Sequence, residues 1–152
     1  MAQTTPPEQP TCSKCIFCRI ANNQEPKTDL LYQQDGIVIF KDLRPASDHH
    51  YLIIPEKHVK DPKHLGSNDV KLVEQLVSVG KDFLAKQGGD VTDVRMGFHW
   101  PPFNSISHLH LHVISPTKHM GFIASLIFKV NSYWFVSAEW LIDRLKKSSS
   151  SL

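Results

Sequence analysis

The chemistry of this chain is concentrated in one stretch, Ser107-His108-Leu109-His110-Leu111-His112-Val113-Ile114. On a β-strand, alternate side chains point to opposite faces, so the three histidines share one face and Leu109, Leu111 and Val113 the other. Histidines two positions apart then stand roughly 6.5 to 7 Å from one another, a row wide enough to surround a single phosphate group. Neutral imidazole attacks phosphorus well, and its neighbours can donate hydrogen bonds to phosphoryl oxygens as charge builds. Two other readings use the same residues. Imidazole is the commonest zinc ligand, so adjacent strand histidines can hold a metal. A half-exposed strand can also carry histidine by chance, although three in strict alternation weigh against it.

A second chemical cluster is Cys15-x-x-Cys18, which has the spacing of half a zinc site. Its alternative is two small reduced cysteines packing beside Phe17, and that is the expectation, with no metal and no cofactor. Cys12, Cys15 and Cys18 are the chain's three cysteines. An odd, clustered set makes a poor disulfide framework and points to reduced thiols in a reducing compartment, cytoplasmic or nuclear. The remaining numbers set bounds. The 152 residues suit one domain, and 41% hydrophobic with 21% charged residues allows a packed core. A formal charge of +2 gives no nucleic-acid signature, no apolar run reaches the roughly 18 residues of a membrane span, and the N-terminus lacks a signal peptide's pattern. No nucleic-acid or membrane partner is expected.

The elements that must position these residues read as α+β. Residues 1–13, with Pro6, Pro7 and Pro10, form an expected disordered lead-in, and 148–152 a disordered serine tail. Ile16 to Ala21 reads as a short helix. Leu30 to Gln33 and Ile37 to Lys41 flank Asp35-Gly36, a strong hairpin signal. Tyr51 to Ile54 is a third strand stopped by Pro55. A long helix capped by Ser67 runs to about Gln87, with Val73, Leu76, Val77, Gly80, Phe83 and Leu84 as its buried stripe. Arg95 to Phe98 and Ser107 to Ile114 complete about five strands. Ser137 caps a final helix with Trp140, Leu141 and Leu145 inward. The order suggests an antiparallel sheet with helices on one side. His49, His58, His64 and His119 carry no motif weight and read as surface residues, and Tyr133-Trp134-Phe135 as core or subunit contact.

Upstream of the triad stand Cys15-Ile16-Phe17-Cys18-Arg19-Ile20, Phe40-Lys41-Asp42-Leu43-Arg44-Pro45 and His50-Tyr51-Leu52-Ile53-Ile54-Pro55-Glu56-Lys57-His58. With the triad itself, their order and spacing resemble the histidine triad nucleotide-binding branch of the histidine-triad (HIT) superfamily, over about residues 14 to 145. The resemblance implies a HIT fold over residues 14–147 and cleavage of adenosine 5'-monophosphoramidates to AMP. It makes His110 the nucleophile that forms a nucleotidyl-histidine intermediate; the central position alone has an imidazole on each side. His108 and His112 flank it, His112 binds a non-bridging oxygen, His50 braces the site, and Ser105 touches phosphate or the leaving amine. The nucleoside pocket implied is Phe17, Ile20, Phe40, Asp42 and Leu43, with His99 and Asn104 as further nucleotide-binding residues. A carboxylate facing a ribose can accept both hydroxyls.

One departure is visible. His99 stands where founding members have Asn, and Trp100-Pro101-Pro102-Phe103 replaces their Gly-rich stretch, stiffening that loop. Some histidine-triad relatives complete a zinc site from a cysteine pair and two histidines, and the matching positions are His50 and His108. The resemblance also implies a homodimer, for which the apolar run Phe122 to Phe128 could supply contact area. Two other functions stay open: hydrolysis of dinucleoside polyphosphates, and a non-catalytic purine nucleotide-binding regulator.

Overall fold

Asp35 and Gly36 both take positive φ, 54° and 77°, the conformation a two-residue hairpin turn demands. They join β1 (Tyr32–Gln34) to β2 (Ile37–Lys41), in register from Gln34 opposite Ile37 to Tyr32 opposite Ile39. In this computed structural model the described residues are 14–148. The expected lead-in with Cys12, and residues 149–152 of the tail, lie outside them. Ser148 does not belong to a disordered tail; it ends the last helix.

The hairpin continues into a six-stranded antiparallel sheet of order β1-β2-β3-β5-β4-β6, with β3 at His49–Pro55, β4 at Arg95–His99, β5 at Leu111–Ser115 and β6 at Phe135–Ser137. The sixth strand corrects the expected five. It pairs with β4 because Gly97 opposite Ser137 has no side chain. A Cβ there would meet the Val136 carbonyl oxygen and come within 2.6 Å of the Phe135 ring.

Two helices cover one face of the sheet, α2 (Val70–Lys86) and α4 (Ala138–Ser148). Val73, Leu76, Phe83 and Leu84 of α2 and Leu141 and Leu145 of α4 are buried against Ile37, Ile39, Ile53, Leu111 and Val113. Val77 is only partly buried, and Gly80 lets the helix approach Val113 and Ile53. Two details differ from expectation. Ser67 does not cap α2; it opens a single 3-10 turn at Ser67–Asp69, and Asp69 precedes the helix. Trp140 is 40% exposed, since one residue before Leu141 the helix has turned its side chain away from the core. Ser137 does cap α4, its Oγ accepting the Trp140 N–H at 3.1 Å.

The other face is not bare. Here α1 (Ile16–Ala21) packs Phe17, Ile20 and Ala21 on Val38, Phe40, Leu52 and Ile54. The short helix α3 (Phe122–Ile127) leads into Phe128, which is buried with Ile114 and Phe135. No helix among the described residues is long and apolar enough to cross a membrane.

Candidate active site

Only His112 of the three histidines sits on a hydrogen-bonded strand. The expected strand from Ser107 begins instead at Leu111. The cause is Pro55, which ends β3 and has no N–H to continue the ladder. The Leu109 N–H turns to the Val59 carbonyl, at 2.6 Å. Alternation survives nonetheless: Leu109, Leu111 and Val113 enter one core, and His108, His110 and His112 are buried on the opposite side. The rings of His110 and His112 meet edge to face at 5.0 Å between centroids.

Hydrogen bonds then assign the protons. The His110 Nδ1–H donates to the His108 carbonyl at 2.7 Å, so the lone pair of His110 lies on Nε2. The Ala46 N–H donates to His50 Nδ1 at 3.0 Å, which places the His50 proton on Nε2. That proton faces His112 Nδ1 at 2.9 Å. His112 must therefore carry its own proton on Nε2. This Nε2 is buried with no hydrogen-bond partner among the described residues, a donor with its direction already set. Burial holds these rings neutral. It pushes His50 down to about 4, against the Asp42 carboxylate 3.5 Å away, which pulls the other way. His112 lies well below its ordinary value and His99 and His110 are lowered too, burial leading in each case.

A cavity of about 450 Å³ opens in front of this row. Phe17, Ile20, Phe40, Asp42, Leu43, His99, Ser105, His110 and His112 all line it. Leu43 forms the rim, 92% exposed, and Asp42 Oδ1 accepts the Arg44 N–H at 2.8 Å. Three residues are not brought to the wall. His50 stands behind His112. Asn104 lines a smaller cavity instead, which it shares with Asp61, Pro62, His99, His108 and His110, its amide directed at the Ile106 carbonyl of its own loop. His108 faces elsewhere, donating from Nε2 to the Pro55 carbonyl at 2.9 Å. Sequence reasoning missed Ile127 and Phe128 as lining residues. Phe128 packs 5.0 Å from the His112 ring and 5.2 Å from His50 and His99. Only its place in an apolar run marked it.

The cysteine pair meets a different partner from the one implied. Ligand-type atoms of Cys15, Cys18, His58 and His108 all lie within 4.8 Å of one another, and His50 is not among them. His50 belongs to the other end of the row, with Asp42 and His112. His58 is exposed, as the sequence suggested, yet it points its Nδ1 at Cys18 Sγ, 3.3 Å away.

Comparison with known proteins agrees with this architecture. The family model for the scavenger mRNA decapping enzyme C-terminal binding domain matches residues 14–127. The chain is 53% identical over 135 residues to a protein of Xenopus tropicalis named adenosine 5'-monophosphoramidase HINT3, covering 88% of each chain. The Mus musculus protein of the same name is 49% identical, over 89% of this chain and 83% of its own. Among solved structures, a histidine triad protein from Clostridium difficile superposes with a TM-score of 0.62 at 28% identity, covering 67% of this chain and 90% of that one. A buried imidazole row fixed in its proton positions, a family model across most of the domain and relatives about half identical lead to one conclusion: this chain belongs to the histidine-triad superfamily.

Proposed function

We propose that the protein is an adenosine 5'-monophosphoramidase that releases AMP through a nucleotidyl-His110 intermediate. The observation that carries the reading is the pair of locked tautomers: a lone pair on His110 Nε2 beside a donor on His112 Nε2. In the first step the His110 lone pair attacks the α-phosphorus, a P–N bond forms to His110, and the bond to the leaving nitrogen breaks. That nitrogen takes up a proton and departs as the amine. His112 donates to a non-bridging oxygen as negative charge grows there. The Ser105 hydroxyl, on the cavity wall, gives a hydrogen bond to phosphate or to the leaving amine. Water then attacks phosphorus, the bond to His110 breaks, and AMP and a proton leave. Splitting one displacement in two is the benefit of a covalent nucleophile. Phe17, Ile20 and Phe40 hold the base and Asp42 the ribose. The identity to phosphoramidases along nearly the whole chain favours this substrate over dinucleoside polyphosphates, and the intact row favours turnover over regulation by binding alone.

The test is covalent. Mixing with an adenosine phosphoramidate labelled in the adenylate, followed by acid-free quenching and peptide mass spectrometry, should place an adenylyl group on His110. His110→Ala should show no adduct and a kcat lower by at least about 10³-fold. An adduct elsewhere, or wild-type turnover in that variant, defeats the proposal.

The active form is a homodimer, in this reading. Phe122 and Ile123 of α3 are 78% and 67% exposed, an uncovered apolar surface of the kind subunit contacts use. Sedimentation velocity at micromolar concentration should give a dimer for the wild type and a monomer for Phe122→Glu. A monomeric wild type rejects this part.

A further inference from the structure

The loop that carries Ser105 joins β4 to β5, and its backbone is tied near its ends. The Trp100 N–H donates to the Trp134 carbonyl at 2.9 Å, the Phe103 N–H to the Trp100 carbonyl at 2.9 Å, and the Leu109 N–H to the Val59 carbonyl. From Asn104 to His108 no backbone N–H donates to a backbone carbonyl among the described residues. Ser105 and Ile106 lie in that stretch, and both line the cavity of the site. Something other than the sheet ladder must therefore set where the Ser105 hydroxyl stands.

Trp100, at the root of the loop, is held by the last helix. Its ring is partly buried against the main core and meets Trp140 of α4 edge to face, with 5.4 Å between centroids and 89° between planes. The Arg144 guanidinium lies over both rings, 5.3 Å from the centre of Trp100 and 5.6 Å from that of Trp140. Trp140 and Arg144 are four positions apart, so the helix sets them on one side, a turn from each other. An edge-to-face aromatic pair and a cation over an indole are both attractive arrangements. Neither residue does much for the core, since Trp140 is 40% exposed and Arg144 is exposed. What they touch is the start of the loop. Pro101 and Pro102 follow, and each fixes its own φ, so a shift at Trp100 is passed along the chain towards Ser105 instead of being absorbed.

We propose that Trp140 and Arg144 are positioning residues of the reaction: stacked on Trp100, they hold the loop between β4 and β5 so that Ser105 stands at the cavity wall. The inference rests on the role given to Ser105 above. It goes further by joining α4, on the opposite face of the sheet, to the chemistry. A stack that only stabilised the fold would leave the contribution of Ser105 intact, whereas a positioning stack makes the two contributions one.

Steady-state kinetics of the full-length protein on an adenosine phosphoramidate gives the first readout. Trp140→Ala should lower kcat by about tenfold, within the range of a small misplacement at a reacting centre, with KM little changed. Arg144→Ala should act in the same direction by a smaller factor. Trp140→Phe and Arg144→Lys, which keep a ring and a cation, should recover most of each loss. In a Ser105→Ala background, adding Trp140→Ala should cost almost nothing more, because the group it positions is gone. Hydrogen exchange read by mass spectrometry gives a second readout that needs no turnover. Amides from Phe103 to Ser107 should exchange faster in Trp140→Ala and in Arg144→Ala, while β2 and β3 keep wild-type protection and show that each variant is folded. An equal loss of kcat with and without Ser105, or unchanged exchange in the loop, overturns the proposal. A wild type that cleaves no phosphoramidate defeats the substrate reading instead, and the exchange measurement still decides whether the stack holds the loop.

Discussion

A neutral imidazole has one proton to place, and at His50 the Ala46 N–H decides where it goes. That decision passes to His112, a residue of the cavity wall, whose proton then sits on Nε2. His50 does not itself line the cavity, so it acts as a positioning residue. A side chain that neither accepts from Ala46 nor donates to His112 should free the His112 proton to move to Nδ1. Turnover then loses the donor that meets the developing charge. His50→Leu is expected to lower kcat by about 10- to 100-fold, the usual effect of losing such an orienting partner, with KM little changed. His50→Gln offers both an acceptor oxygen and a donor amide and should recover part of the loss. Steady-state kinetics on an adenosine phosphoramidate decides the matter. Equal losses in both variants, or an effect confined to KM, would remove the relay.

The elements show how much of this was legible beforehand. The alternation from His108 to Val113 announced a shared imidazole face, and the face exists. What alternation could not give was the length of the strand, because Pro55 ends the partner strand from a distance of more than fifty residues in sequence. The hairpin at Asp35-Gly36 was readable because its turn chemistry is local. β6 was not, since three residues carry no period and its pairing depends on a glycine in another strand. The same limit applies to the site. Phe17, Phe40 and Asp42 were marked by motif and do line the cavity, whereas Phe128 reaches it only by folding back after α3. His58 stood in plain view, three residues past Pro55. Spacing alone gave no reason to join it to Cys18, forty positions earlier, until the loop after β3 brought the two together.

At the scale of the whole molecule, one sheet face is asked to bury several imidazoles in their neutral form, and that choice must show in the stability of the fold. A histidine in the unfolded chain takes up a proton near about 6.5. In the folded protein His50 does so only at about 4, and His99 and His112 are shifted in the same direction by burial. Between those values the unfolded chain binds more protons than the folded one, so acid favours unfolding. Stability is therefore fully present above about 6.5 and falls as the pH drops towards about 4, by up to about 1.4 kcal/mol per pH unit for each such histidine. The lowered carboxyls of Asp90 and Asp93 add their loss only below the ordinary carboxylate value of about 3.9, which keeps the two windows apart. Urea unfolding at pH 8, 7, 6 and 5 should show a free energy flat across the first two points and declining across the last two, with a slope steeper than one proton. His50→Leu removes one titrating ring from the unfolded chain as well as from the fold, so its curve should decline less between pH 6 and 5. A wild type equally stable at pH 7 and pH 5 would mean that these imidazoles take up protons in the fold as readily as in the unfolded chain, and would reject the claim that burial holds the row neutral as the pH falls below about 6.5.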